Sequence, residues 1–311
     1  NVQTLPDFTF CYVTSLETVH IPENIKALSK GAFAFSGVKT VTGMSGITKL
    51  EDYTFYECEN LTSLDIENSK ITKAGNYAFA NSGIESLSGL ENLLEVGDYT
   101  FYECENLASV GIENSKITKV GNYAFANSGI ETLSGLDNLL EVGEYAFYEC
   151  ENLTSVGIEN SKITKAGKYA FAYSGIESLD GLEKLTEIKE YTFYECKNLT
   201  QAYLTESEAT DIGGYAFANS SIISFTGGSY LESIGDGCFA NCASLETATL
   251  GGNLMLIGEH AFVNCTALTQ ITVPDSVKNV GKKAFYGNTA LVNVKMSDNV
   301  IFIPDECFNG C

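Results

Sequence analysis

Positive charge is scarce in this chain. Eighteen lysines and arginines stand against forty aspartates and glutamates, a formal charge of −22, which repels nucleic acid and anionic lipid and excludes them as partners. Histidine is scarcer still. His20 and His260 are the only two, and they fall roughly ten coils apart on the repeat described below, too far to share one metal ion. No apolar run approaches the roughly 18 residues of a membrane helix, and no basic-then-apolar leader opens the chain at Asn1. Direct membrane insertion is therefore not expected in this segment, and the export signal and anchor of a secreted protein are expected outside it. Phosphate loops are missing too: Gly213-Gly214, Gly227-Gly228 and Gly251-Gly252 lack the surrounding G-x-x-x-x-G-K-[ST] or G-x-G-x-x-G and read as turns. No cofactor is expected.

What the chain does contain is a repeat. Phenylalanine recurs at Phe10, Phe33, Phe55, Phe79, Phe101, Phe125, Phe147, Phe171, Phe193, Phe217, Phe239, Phe262, Phe285 and Phe308, at intervals of 22 to 24 residues. Through the middle of the chain 22 and 24 alternate, giving a double repeat of 46 residues; the segments starting at Phe55 and Phe101 differ at only eight positions, which points to recent duplication. Each longer coil carries an L-x-x-L-x-L pattern, as in Leu61, Leu64 and Ile66, and each shorter one a variant of it, as in Ile84, Leu87 and Leu90. That is the strand pattern of a leucine-rich repeat. Alternation puts Leu64 and Ile66 inward and Ser63, Asp65 and Glu67 outward. After a turn at Gly97 the spacing predicts a short helical segment from Asp98 to Cys104, with Thr100, Phe101 and Cys104 facing inward. A lone coil cannot bury both its strand face and its phenylalanine, so coils must stack. The expected fold is an α/β repeat solenoid, with a parallel sheet on one face and short helical turns on the other. It forms a single domain over 1–311 of about fourteen coils, the last incomplete because Cys311 falls where a strand should follow.

The ten cysteines follow the repeat. Cys58, Cys104, Cys150, Cys196, Cys242, Cys265 and Cys311 each lie three residues after a phenylalanine, where other coils carry Ser36, Ser82, Ser128, Ser174 or Ser220. They form an interior column of small apolar side chains and are expected to be free thiols. Disulfide reach leaves Cys242 with Cys265, Cys238 with Cys242, and Cys307 with Cys311 as the pairs close enough to bridge. A mixed zinc site from Cys238, Cys242, His260 and Cys265 is the sharper alternative to inert packing.

The pattern G-x-x-A-F-x-x-C-x-x-L-x-x-V-x-I-P, nearly whole in GEHAFVNCTALTQITVP from Gly258 to Pro274, closely resembles the BspA-like class of leucine-rich repeats, also called the Treponema pallidum type. The resemblance spans essentially the entire chain. It implies a surface or secreted protein of mucosal or gut bacteria, or of some parasitic protists, engaged in adhesion to host matrix proteins or co-aggregation between cells. The motif is structural and carries no catalytic residue. The chain departs from it in the 22/24 alternation and in the serines that replace cysteine in the short coils.

No enzyme is expected. Asp65, Glu67 and Glu113 on the outward strand face are carboxylates without the pocket that a glycosidase acid requires. Two surfaces remain for binding. One is a tyrosine ladder two residues before successive phenylalanines, Tyr53, Tyr77, Tyr99, Tyr123, Tyr145, Tyr169, Tyr191 and Tyr215, which reads as packing between neighbouring turns or as an amphipathic contact stripe. The other is the outward strand face. In the middle coils it carries Ser63, Asp65, Glu67, Ser86, Ser88, Ser109, Glu113, Thr132, Ser134, Ser155, Glu159, Ser178 and Asp180, small and acidic; from Thr200 onward Gln201, Tyr203, Thr247, Thr249, Gln270, Thr272, Asn293 and Lys295 replace them. These eight offer donors as well as acceptors, and Tyr203 adds an aromatic anchor. They are the candidate ligand-binding residues of a cell-surface or secreted adhesion module whose partner is a protein or glycan on host or neighbouring bacterial cells. The alternative is a passive spacer, which the near-identical middle coils would suit.

Overall fold

The computed structural model describes residues 3–67, 69–158, 161–180, 182 and 184–311; Glu159 of the outward face lies outside the described residues. The chain divides into two compact units, Asn1–Lys162 and Ile163–Cys311. Each is a stack of coils joined by parallel strands.

The first unit carries a continuous parallel ladder of two-residue strands: Thr4–Leu5, Ala27–Leu28, Lys49–Leu50, Lys73–Ala74, Glu95–Val96, Lys119–Val120 and Glu141–Val142. The second unit carries the same ladder in Lys165–Ala166, Glu187–Ile188, Asp211–Ile212, Ser233–Ile234, Leu256–Ile257 and Asn279–Val280. In most coils this row lies just before a glycine, as Val96 before Gly97 and Ile234 before Gly235. It is not the row that L-x-x-L-x-L predicts. The predicted row exists as a second, interrupted ladder: Thr18–His20 with Thr40–Thr42 and Ser86–Leu87 with Ser109–Val110 in the first unit, and Gln201–Tyr203, Ser224–Thr226 and Thr247–Thr249, then Gln270–Thr272 with Asn293–Lys295, in the second. Leu61, Leu64, Ile66, Ile84, Leu87 and Leu90 are all buried as the alternation requires.

The helical turns are absent. Among the described residues the sole helical element is a short 3₁₀ turn, Met44–Gly46, and the segment around each phenylalanine is a run of tight turns. In coil after coil the residues two before and two after the phenylalanine have left-handed backbone: Tyr99 at φ 56° and Glu103 at φ 53° flank Phe101, and Tyr123 at 53° and Asn127 at 56° flank Phe125. Alternate N–H groups then leave the segment. Tyr99, Phe101 and Glu103 donate to the carbonyls of Asn122, Ala124 and Ala126 one coil on, at 2.8, 2.7 and 2.9 Å, while Tyr102 and Cys104 close turns onto Tyr99 and Phe101. An α-helix would direct these N–H groups along its own axis and not sideways to the next coil. The outward donors form instead a third ladder between coils. It offsets the roughly 1–2 kcal/mol that each left-handed non-glycine residue costs.

Phenylalanine holds these turns together. Phe79, Phe101 and Phe125 are within 1% of complete burial and stack at 5.3 and 5.1 Å between ring centroids; each buried ring is worth roughly 1.5–3 kcal/mol. Thr100 and Cys104 are buried beside Phe101, so their inward placement holds although the backbone that produces it is not helical. The Thr100 hydroxyl donates to the Gly97 carbonyl at 3.0 Å and reaches the Gly75 carbonyl of the preceding coil at 3.1 Å.

Candidate binding surface

The outward face of the interrupted ladder follows from strand alternation alone. Ala202, Phe225 and Ile271 point into the core, and Gln201, Tyr203, Thr247, Thr249, Gln270, Thr272, Asn293 and Lys295 are exposed. Register aligns them across coils: Gln201 with Ser224 and Thr247, Tyr203 with Thr226 and Thr249, Gln270 with Asn293, and Thr272 with Lys295. Two columns of polar side chains result, both within the second unit. Tyr203 is 52% exposed, and its phenol accepts a hydrogen bond from the Ser224 hydroxyl at 3.0 Å, which fixes the ring against the next coil. In the first unit the described outward residues, Ser63, Asp65, Glu67, Ser86, Ser88, Ser109, Glu113, Thr132, Ser134 and Ser155, are exposed as expected, and the Ser134 hydroxyl donates to Glu113 at 3.3 Å. Ser178 and Asp180 of the second unit are exposed as well.

Sequence reasoning missed one feature of this face. Leu204 N–H donates to the Thr226 carbonyl at 2.8 Å, Gly227 N–H to Thr249 at 2.9 Å, and Val273 N–H to Lys295 at 2.8 Å. Leu250 occupies the same place in its coil, yet among the described residues no backbone hydrogen bond joins its strand, Thr247–Thr249, to Gln270–Thr272. At that interruption lies a recess of about 390 Å³ lined by Thr247, Ala248, Thr249, Leu250, Gln270, Thr272 and Pro274. Ala248 points inward but is only half-buried, so the recess reaches past the outward side chains to this position. Residue type alone does not mark the recess, because Ala202 occupies the matching strand position and is fully buried.

The tyrosine ladder is a packing element with exposed edges. Tyr77, Tyr99 and Tyr123 stack at 4.5 and 4.7 Å with rings nearly parallel, and Tyr191 stacks with Tyr169 at 4.5 Å and with Tyr215 at 5.2 Å. Their faces are occupied by one another. Tyr102 meets Tyr99 edge-on at 5.5 Å, and its hydroxyl is pushed up to about 12 by its hydrogen bond with Glu103 and then by burial. Shallow grooves beside this row are lined by acids and amides, as in Glu103, Glu105, Asn127, Glu149 and Glu151.

The cysteine column is interior. Cys58, Cys104, Cys150, Cys196, Cys242 and Cys265 are buried and free, whereas Cys311 is exposed. Each thiol of the long middle coils caps a carbonyl, Cys104 reaching Phe79 O at 3.0 Å and Cys150 reaching Phe125 O at 3.0 Å. The serine column supplies the neighbour, Ser82 Oγ at 3.7 Å from Cys104 Sγ and Ser128 Oγ at 3.7 Å from Cys150 Sγ. Burial pushes Cys104, Cys150 and Cys196 up to about 12 and raises Cys238 and Cys265 well above the usual thiol range. That is the reverse of nucleophile activation. His260 sits in the left-handed position two residues before Phe262, at φ 57°, where other coils place the ladder tyrosines. Among the described residues no group of three or more His, Cys, Asp or Glu side chains is placed to hold a metal ion, and no helix is long and apolar enough to cross a membrane.

Comparison with known proteins adds the family. No curated protein matches the chain. Among solved structures it is similar to a leucine-rich repeat protein from Bacteroides ovatus, at 23% identity over 100% of this chain and 80% of that one, with a TM-score of 0.79. It is also similar to one from Eubacterium ventriosum, at 21% identity over 97% and 82%, with a TM-score of 0.53. The family model described as BspA type leucine rich repeat region matches residues 1–108, 72–200, 118–245 and 210–311. Every part of the sequence is thus covered, and the chain belongs to the BspA type leucine-rich-repeat family.

Proposed function

We propose that this protein is a non-enzymatic recognition module of the bacterial cell surface or of secreted material, and that it engages a protein or glycan partner through the outward strand face of its second unit. The observation that carries the reading is the alignment of eight exposed polar side chains, from Gln201 to Lys295, on two strand ladders of one unit. The fold uses none of them in its core. Seven of the eight are uncharged, against a chain of net charge −22, so this face offers donors and acceptors without the repulsion that the acidic remainder presents to anionic surfaces. The near-identical middle coils supply length and rigidity, which also favours the second reading, a spacer holding another domain away from the cell.

The test is binding of the full chain to immobilised host matrix proteins and bacterial surface glycans. A specific partner is expected, and Tyr203→Ala combined with Gln270→Ala should weaken it by about tenfold or more, as loss of a binding hot spot does. Affinity undiminished in the double variant would overturn the assignment to this face. Absence of any partner in both panels would favour the spacer.

A further inference from the structure

We infer that the recess between Thr247–Thr249 and Gln270–Thr272 is a subsite for one neutral sugar ring, an assignment that rests on the binding role given to this face and names its ligand chemistry. Four observations carry it. First, at about 390 Å³ the recess falls in the lower part of the size range of small-molecule sites, roughly 300–1,000 Å³. Second, no ionisable side chain lines it. An anion would find no counter-charge within a strongly acidic protein, and a metal cation would find no carboxylate, so the ligand is uncharged.

Third, the walls offer both halves of a hydrogen bond. The hydroxyls of Thr247, Thr249 and Thr272 and the amide of Gln270 donate and accept. The Leu250 N–H and the Thr272 carbonyl, whose counterparts in other coils pair at 2.8–2.9 Å, are left without a backbone partner by the interruption in the ladder. A ligand rich in hydroxyls satisfies both kinds of group at once, whereas an aliphatic ligand would strand them at a desolvation cost. The floor of Ala248, Leu250 and Pro274 is apolar and matches the C–H face of a pyranose.

Fourth, the gap excludes the main competitor, an extended peptide adding a strand between the two edges. An inserted strand would hold the flanking strands about 9.6 Å apart, twice the ladder spacing. Cα atoms of the two strands already lie within 8 Å of one another. The ligand therefore lies over the gap, against the outward side chains that line the recess, and not between the two edges.

The experiment is saturation-transfer NMR on the full chain with neutral methyl glycosides of galactose, glucose and N-acetylglucosamine. At least one is expected to receive saturation. Ala248→Ile fills the recess from the inside with the residue type that Ile271 places at the same strand position one coil on; it should abolish the transfer while leaving the urea midpoint nearly unchanged. Thr272→Val, on the outer wall and free of core contacts, should weaken binding by about tenfold, the loss expected for one strong hydrogen bond. No transfer to any glycoside, or transfer undiminished in both variants, overturns the sugar subsite. The broader reading fails separately: a protein partner that is captured in a manner sensitive to Tyr203→Ala but indifferent to Ala248→Ile would leave the binding face standing and remove the sugar from it.

Discussion

Phe101→Ala should be among the most damaging single substitutions in the first unit, and the structure gives the size of the effect. The ring is fully buried and sandwiched between Phe79 at 5.3 Å and Phe125 at 5.1 Å, so truncation removes packing from both faces at once. Collapse cannot fill the gap cheaply. The backbone on either side is pinned by Phe101 N–H to Ala124 O at 2.7 Å and Phe79 N–H to Thr100 O at 2.9 Å, and closing the cavity would break inter-coil bonds that offset the strain of left-handed Tyr99 and Glu103. The upper part of the usual range for Phe→Ala, about 3–5 kcal/mol, therefore applies. Urea unfolding followed by circular dichroism and tyrosine fluorescence is the assay, the chain having seventeen tyrosines and no tryptophan. With a slope near 3 kcal/mol per molar the midpoint should fall by about 1.3–1.7 M. Ser109→Ala, on the exposed strand face, is the control and should stay within about 0.5 kcal/mol. Equal shifts for the two variants, or a loss below about 1 kcal/mol for Phe101→Ala, would show that the phenylalanine column does not hold the coils together.

Two further outcomes follow from the same packing. Gly129→Ala would place a Cβ 2.1 Å from the Glu105 carbonyl oxygen of the preceding coil, whereas Gly252→Ala meets nothing within 4 Å; the first should cost about 1–3 kcal/mol in urea unfolding and the second almost nothing. The thiols set an alkaline limit. Burial lifts Cys104, Cys150 and Cys196 from 9.0 to about 12, and Cys58 and Cys242 to about 11. Between pH 9 and these values the unfolded chain releases protons that the folded chain retains, so stability falls as pH rises, by about 1.4 kcal/mol per pH unit for each thiol. Below pH 9 this contribution is fully present and flat. Urea midpoints from pH 7 to 11 check this, and a midpoint independent of pH above 9 would refute the buried column.

Much of this architecture is written in the spacing of residues. The phenylalanine period, the inward leucines and the alternation of Cys104 with Ser82 or Ser128 were all legible, because each is a side chain that the core must receive at a fixed interval. The turns were not. Thr100 and Cys104 four apart beside Phe101 have the spacing of one helix face, and alternating right- and left-handed residues present the same set inward. Residue type pointed the other way: Asn81, Asn127, Asn219, Asn241 and Asn264, with Gly31, Gly237 and Gly287, occupy the left-handed positions, and asparagine and glycine are the residues that tolerate them. The tyrosines and glutamates that fill the remaining positions obscured that signal, since bulky residues seldom adopt left-handed backbone. The continuous ladder was hidden for a different reason. Strands such as Glu95–Val96 are two residues long, too short to show alternation, and they are specified by pairing with the next coil instead of by their own pattern.

The same division between required and free positions explains why the candidate site lies where it does. A stacked coil constrains its inward residues, its left-handed turn positions and the glycines that meet a neighbouring backbone, and it leaves the outward strand positions to vary without cost to the fold. In the first unit those free positions repeat serine and acid, as recent duplication would leave them. From Gln201 onward they do not: Gln201, Ser224 and Thr247 share one register position, Tyr203, Thr226 and Thr249 another, and Gln270 pairs with Asn293, so the side chains change along each column. The paired strands around them keep the ladder. One of the places where the ladder is given up, between Thr249 and Gln270, falls within this strip. Giving up those backbone bonds leaves polar groups that need another partner, and four of the eight exposed side chains, Thr247, Thr249, Gln270 and Thr272, converge on the opening. What sets this interruption apart is the recess that these side chains line, which gives a strand surface the depth that a binding face needs and a spacer does not.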